Sequence, residues 1–199
     1  ERYINENQNA PIQLTHKNLS QVFVKIFAYN EGFDGENKIQ VLNVYNENRI
    51  AEAQKFLNSL KVVDQYTIDV KSFEDYQNHS TIVKLNPLKS GRYIVLFSNN
   101  SEFKINTKDD IDYLDIMVSK YAINSLNDKL SVVNRETGKP ESNVTIEFSN
   151  FSDYNKKETK ILTSDKDGII TIPSGWRNLQ YRVKDEHTIY SAYYYDYDR

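Results

Sequence analysis

The chain has 199 residues, 39% hydrophobic and 27% charged, enough for one large domain or two of about 100 residues each. A net charge of −3 with both signs interspersed leaves no electrostatic footprint for a phosphate backbone, so nucleic acid is not an expected partner. The absence of cysteine removes thiol nucleophiles, disulfides and Cys-ligated zinc, and no apolar run is long enough for membrane insertion of this segment.

Fifteen tyrosines and nine phenylalanines suit pleated, half-buried surfaces and point to an all-β body. The polar opening "ERYINENQNAP" has no charged-then-apolar leader, so a soluble, trimmed segment is expected, with Pro11 at the edge of a first strand over Ile12 to Thr15. In "QVFVKIFAYN", Val22, Val24, Ile26 and Ala28 alternate with Phe23, Lys25, Phe27 and Tyr29, which predicts a strand. "EGFDGE" reads as a turn, and "KIQVLNVY" is a short apolar run of undecided type. Ile50, Ala53, Phe56, Leu57 and Leu60 share one face at helical spacing, predicting one short helix over about Arg49 to Leu60, lying across a sheet edge or one end of a sandwich.

"VVDQYTIDV" returns to alternation, and "STIVKLNPLKSGRYIVLFSNN" predicts a hairpin turning at "NPLKSG". The polar gap "NSEFKINTKDD" precedes a second series of strands at "YLDIMVSKYAI", which places a boundary between domains 1–113 and 114–199. Six further runs follow: "KLSVVNR", "NVTIEFSN", "KETKILTSD", "GIITIPS", "LQYRVKD" and "TIYSAYYY". Regular strand spacing of this kind is the signature of a β-sandwich. The expected fold is therefore all-β, two tandem antiparallel sandwiches with one short helix.

Few residues suggest chemistry. His16, His79 and His187 stand apart in sequence without ligand spacing, so no metal and no cofactor is expected. No G-x-S-x-G elbow is present to raise a hydrolase reading built on His79 or His187. "DKDG", Asp165 to Gly168, resembles the start of a calcium loop, but Ile169 and Ile170 follow where further oxygen ligands are needed; a turn capped by aspartate with glycine at positive φ accounts for it. In "NRETGKPESNVTI" the charges around Gly138 and Pro140 read as strand, tight turn and strand. The neighbouring carboxylates Glu74 and Asp75, and Asp109 and Asp110, read as solvated loop charges. The terminal run with Tyr190, Tyr193, Tyr194, Tyr195 and Tyr197 is either a docking face for a following domain or a platform on which a ligand stacks.

"VVNRETGKPESNVTIEF" followed by "TSDKDGIITI" resembles extracellular sandwiches in which one strand ends at T-G-K-P and a later turn carries D-x-x-G. Together with "PIQLTHKNLSQVFVKIFAYN", "DYQNHSTIVKLNPLKSGRYIVLFSNN" and "MVSKYAIN", the chain resembles the N-terminal macroglobulin-like region of Bacteroidetes alpha-2-macroglobulin family proteins, from Pro11 to Tyr190. That resemblance implies fibronectin-like macroglobulin domains in series within a large protein that traps proteases through a bait region and, in many members, a Cys-Gln thioester. Without cysteine this chain cannot contain the thioester, and nothing marks a bait region. The implied role is a non-catalytic scaffold in an extracytoplasmic protein, periplasmic, outer-membrane-anchored or secreted. Its partners would be the neighbouring domains of the same parent chain and, through the full-length protein, proteases. The rival from another class is a carbohydrate- or protein-binding module of an adhesin or glycan-uptake system, using Trp176 and the terminal tyrosines.

Overall fold

A computed structural model describes residues 2–29, 38–44, 46–106, 111–126, 128–153, 156–176, 178–184, 186 and 189–193. The chain divides into two compact units, the first ending at Met117 and the second beginning at Val118.

In the first unit, β1 (Arg2–Ile4), β3 (Gln21–Ala28), β4 (Lys61–Asp69), β6 (Gly91–Ser98) and β7 (Ile111–Val118) form a sheet in the order β1-β7-β6-β3-β4. β2 (Ala10–His16) pairs antiparallel with β5 (His79–Leu85) in a second sheet. β7, which opens the second series of strands in the sequence, thus sits in this unit beside β6.

All eight residues of β6 are buried, which a strand with one solvated face cannot achieve. One of its faces is covered by α1 (Ile50–Ser59): Leu57 packs with Phe27, Tyr29, Ile94, Leu96, Phe103 and Ile39, the last from the 3-10 turn Lys38–Leu42. Tyr29 meets Phe56 edge-on at 5.8 Å. The helix therefore lies on the face of the sheet, not across an edge or end, because both faces of β3 and β6 are apolar. On the other face Val22, Val24, Ile26, Val95 and Phe97 are buried, as are Ala10, Ile12, Val83 and Leu85 of the second sheet.

The hairpin expected at "NPLKSG" is not formed. β5 pairs with β2 while β6 pairs with β3, so residues 86–90 carry the chain from one sheet to the other. The physical reason is β6 itself, a strand apolar on both faces that belongs between two others in the larger sheet.

The second unit repeats this device. β8 (Tyr121–Leu126), β9 (Lys129–Asn134) and β12 (Ile169–Thr171) form a sheet ordered β12-β9-β8. β10 (Thr145–Asp153), β11 (Lys156–Thr163), β13 (Asn178–Val183) and β14 (Ile189–Tyr193) form the other, ordered β11-β10-β13-β14. The T-G-K-P turn joins β9 to β10 and the D-K-D-G turn joins β11 to β12, so each links the two sheets. Leu130, Val132, Ile146, Phe148, Ile170, Leu179, Tyr181 and Val183 alternate inward to form the core. Phe148 and Tyr181 face each other across β10 and β13 at 5.6 Å.

Candidate functional site

Tyr190 and Tyr193 lie on β14, which borders the four-stranded sheet with β13 as its neighbour. An edge strand leaves backbone groups open to pairing. Tyr194, Tyr195 and Tyr197 lie outside the described residues, as does His187. Trp176 does not offer a stacking face: it is 7% exposed, its Nε1–H donates to Glu158 Oε2 at 3.1 Å, and Lys160 Nζ stands 5.3 Å over its ring. A sugar stacking on this buried ring would have to displace the Lys160 ammonium or the packing around it.

His79 has an acidic partner, with Nε2 at 2.9 Å and 3.0 Å from the two oxygens of Asp75. The hydrogen bond from His79, then the N–H of Gln77, holds the Asp75 carboxyl below the usual carboxylate value. Phe73 stacks on the His79 ring at 3.9 Å, and His16 stands opposite on β2. The hydroxyl of Ser80, next in sequence, is hydrogen-bonded to that of Thr15. Among the described residues no three His, Asp or Glu side chains gather where they could hold a metal ion.

The two turns quoted from the sequence meet. In the first, Asn134 Oδ1 accepts from the N–H groups of Glu136 and Thr137, and Gly138 takes φ 68°. The chain then runs back along β9, where Pro140 bridges Val133 and Glu141 N–H donates to the Val132 carbonyl at 2.9 Å. In the second, Asp165 Oδ1 accepts from Asp167 and Ile169, and Gly168 takes φ 73°. The Gly168 carbonyl accepts from Val132 N–H at 2.8 Å, which brings this turn against the first. Ser164 completes the junction, its hydroxyl donating to the Glu141 carbonyl at 2.7 Å and accepting from Val144 N–H at 2.9 Å. The Asp165 carboxylate thus caps its own turn, as expected from sequence, and the Gly168 carbonyl is taken up by β9.

A second polar cluster fixes the chain at the start of this unit. Glu186, 1% exposed, accepts from the Ser119 hydroxyl at 2.5 Å and from Lys120 N–H at 2.9 Å. Arg135 reaches the carbonyls of Ser119 at 3.3 Å and Tyr121 at 2.7 Å. Sequence reasoning missed Glu186 because "KDEH" reads as a solvated turn, and the carboxylate's partners are more than sixty positions away. In the first unit a cavity of about 300 Å³ opens between α1 and the sheet, lined by Phe27, Leu57, Leu96, Phe103 and Lys25, whose Nζ lies over the Phe27 and Phe103 rings. It is at the small end of ligand pockets.

No protein-family model matches the sequence, and no curated protein matches it. Among solved structures, the chain is similar to the crystal structure of native alpha-2-macroglobulin from Escherichia coli spanning domains NIE-MG1, with a TM-score of 0.52 and 18% identity over 89% of this chain and 85% of that fragment. It is also similar to the fragment spanning MG0-NIE-MG1, with a TM-score of 0.53 and 14% identity over 92% of this chain, which spans 58% of that fragment's length. The chain thus shares the fold of tandem macroglobulin-type β-sandwich fragments, two antiparallel sandwiches with one short α-helix.

Proposed function

We propose that the chain is a non-catalytic, two-domain scaffold segment of a large bacterial alpha-2-macroglobulin-like protein. The observation that carries the proposal is the likeness of fold over both units to a fragment cut from such a protein. The polar clusters fit it: around the T-G-K-P turn and around Glu186 the side chains hold backbone in place. Close-packed sandwiches hold geometry and present surface. In this reading β14, which carries Tyr190 and Tyr193, is together with the sequence that follows it, Tyr194, Tyr195 and Tyr197, the docking face for a neighbouring domain of the same parent chain. The parent inhibits proteases or serves surface defence, and resides in the periplasm, on the outer membrane or outside the cell of a Bacteroidetes species; these finer points rest on the resemblance of the quoted motifs.

The test is to incubate the isolated chain with trypsin-like and elastase-like proteases and follow cleavage of a small and a large substrate. Both are expected to be cleaved as fast as without the chain. Selective protection of the large substrate would mean that this segment traps proteases by itself and would overturn the scaffold reading.

A further inference from the structure

We propose that His16 and His79 form a binding site for a divalent transition-metal ion, Zn²⁺, Cu²⁺ or Ni²⁺, that staples β2 to β5, with Asp75 as the outer partner of His79. The two histidines are register partners on adjacent antiparallel strands, and their ring centroids are 6.4 Å apart. Directly opposed residues project side chains on the same face of a sheet, so the rings face a shared volume.

Each ring brings a nitrogen lone pair. A carboxylate only accepts, so the contact of both Asp75 oxygens with His79 Nε2 puts the ring proton there and leaves Nδ1 of the neutral imidazole as a donor to a metal. A carboxylate on the far nitrogen is the arrangement that fixes the tautomer and orientation of metal-ligating histidines. Phe73, stacked on the ring at 3.9 Å, restrains it further. His16 is 5% exposed, and neither of its ring nitrogens has a hydrogen-bond partner. Buried polar side chains are rarely left so, and a bound ion would complete this one.

The distances allow it. A metal–nitrogen bond of about 2.1 Å puts the ion roughly 3.2 Å from each ring centroid, so two rings sharing it stand at most about 6.4 Å apart, and about 5.2 Å at a tetrahedral angle. The observed 6.4 Å is that outer limit, the separation of two imidazoles trans to each other on the ion, and a tetrahedral angle requires the two rings to approach by about 1 Å. His79 is 25% exposed, which gives the ion a route in and leaves its other positions to water. Imidazole pairs suit zinc, copper and nickel over calcium or magnesium. With two protein ligands the site is weaker than a four-ligand structural zinc centre. Its effect is mechanical, because β2 and β5 pair with each other and with no other described strand.

The test uses the whole chain after dialysis against a chelator, titrated calorimetrically with ZnCl₂ and observed through imidazole nitrogen resonances, with paramagnetic Ni²⁺ as a second probe. One equivalent of Zn²⁺ should bind, the His16 and His79 rings should shift or broaden while His187 does not, and the melting temperature should rise. His79→Gln should abolish binding, and Asp75→Asn should weaken it tenfold to a hundredfold. The Ni²⁺ measurement on the unaltered chain needs no variant to fold. No binding at millimolar Zn²⁺, binding that survives His79→Gln, or broadening confined to His187 would each overturn the proposal.

Discussion

A Cβ added to Gly168 would lie 2.5 Å from the carbonyl oxygen of Val132 and 3.2 Å from Pro140, whereas one added to Gly138 would meet nothing within 4 Å. The two glycines share a left-handed backbone, at φ 73° and 68°, so their difference isolates the close approach of one turn to the other. Gly138→Ala should cost about 1 kcal/mol, and the β-branched Gly138→Val about 1–3 kcal/mol, from backbone strain. Gly168→Ala adds a clash with backbone that cannot swing aside, and should cost about 3 kcal/mol or more. Urea unfolding followed by the fluorescence of Trp176 measures both; equal losses for the two alanine variants would mean that the turns do not interlock.

The motif turns were legible in the sequence because turn chemistry is local: Asn134 and Asp165 cap their own loops, and Gly138 and Gly168 supply the positive φ those loops need. Strand alternation likewise announced β3, and runs bounded by turn signals announced β6, β9 and β10. What alternation cannot announce is which sheet a strand joins. Two strands separated by a short polar linker read as a hairpin, yet residues 86–90 and the T-G-K-P turn both cross between sheets, because partner choice depends on the burial of both strand faces in the finished core. The pairing of His16 with His79 and the burial of Glu186 are hidden for the same reason. They are products of register and packing between distant segments.

Glu186 should be the most sensitive polar position of the second unit. Glu186→Ala removes the carboxylate that accepts from Lys120 N–H and from the Ser119 hydroxyl, which keeps the Tyr121 carbonyl at 3.0 Å, and should cost about 1–3 kcal/mol. Ser119→Ala alone should cost about 1 kcal/mol. Because the two side chains share one hydrogen bond, the double variant should lose less than the sum, with a coupling of about 0.5–3 kcal/mol in a double-mutant cycle of urea unfolding. Strict additivity would show the contact to be absent in solution.

Tyr66, Tyr93 and Tyr113, all in the first unit, should ionise above the ordinary tyrosine value. Burial is the largest cause in each; the charge of Glu6 adds to it at Tyr93 and those of Asp115 and Asp112 at Tyr113, while the N–H of Asn86 opposes it at Tyr66. The neutral ring is favoured in the folded state, so its contribution is fully present below the unfolded tyrosine value and is lost as pH rises through the folded one. An ultraviolet phenolate titration should show a late-titrating group that Tyr66→Phe diminishes, and first-unit stability should fall on the alkaline side. A single transition at the ordinary value would contradict the burial of these rings.

Three ion pairs should rank by burial, not by distance. Arg92 and Asp115 are 6% and 14% exposed and joined by two hydrogen bonds, Nε to Oδ1 at 2.9 Å and a terminal guanidinium nitrogen to Oδ2 at 2.6 Å, between the neighbouring strands β6 and β7. Asp115→Ala leaves a guanidinium buried against the Tyr29 ring with its carboxylate gone, and should cost about 3–5 kcal/mol. Arg182 and Glu147, half-buried and opposite each other on β13 and β10, should show about 0.2–1 kcal/mol in a double-mutant cycle. Lys104 and Glu102 approach to 2.5 Å but are 78% and 63% exposed, so solvent screens them and Glu102→Gln should leave the unfolding midpoint unchanged. Molar salt separates the cases again: it should erase the Arg182–Glu147 coupling and leave that of Arg92 with Asp115 nearly intact, since ions do not enter a buried pair. A salt-sensitive Arg92–Asp115 coupling would place that pair in solvent and β6 at the surface, against the burial of all eight of its residues.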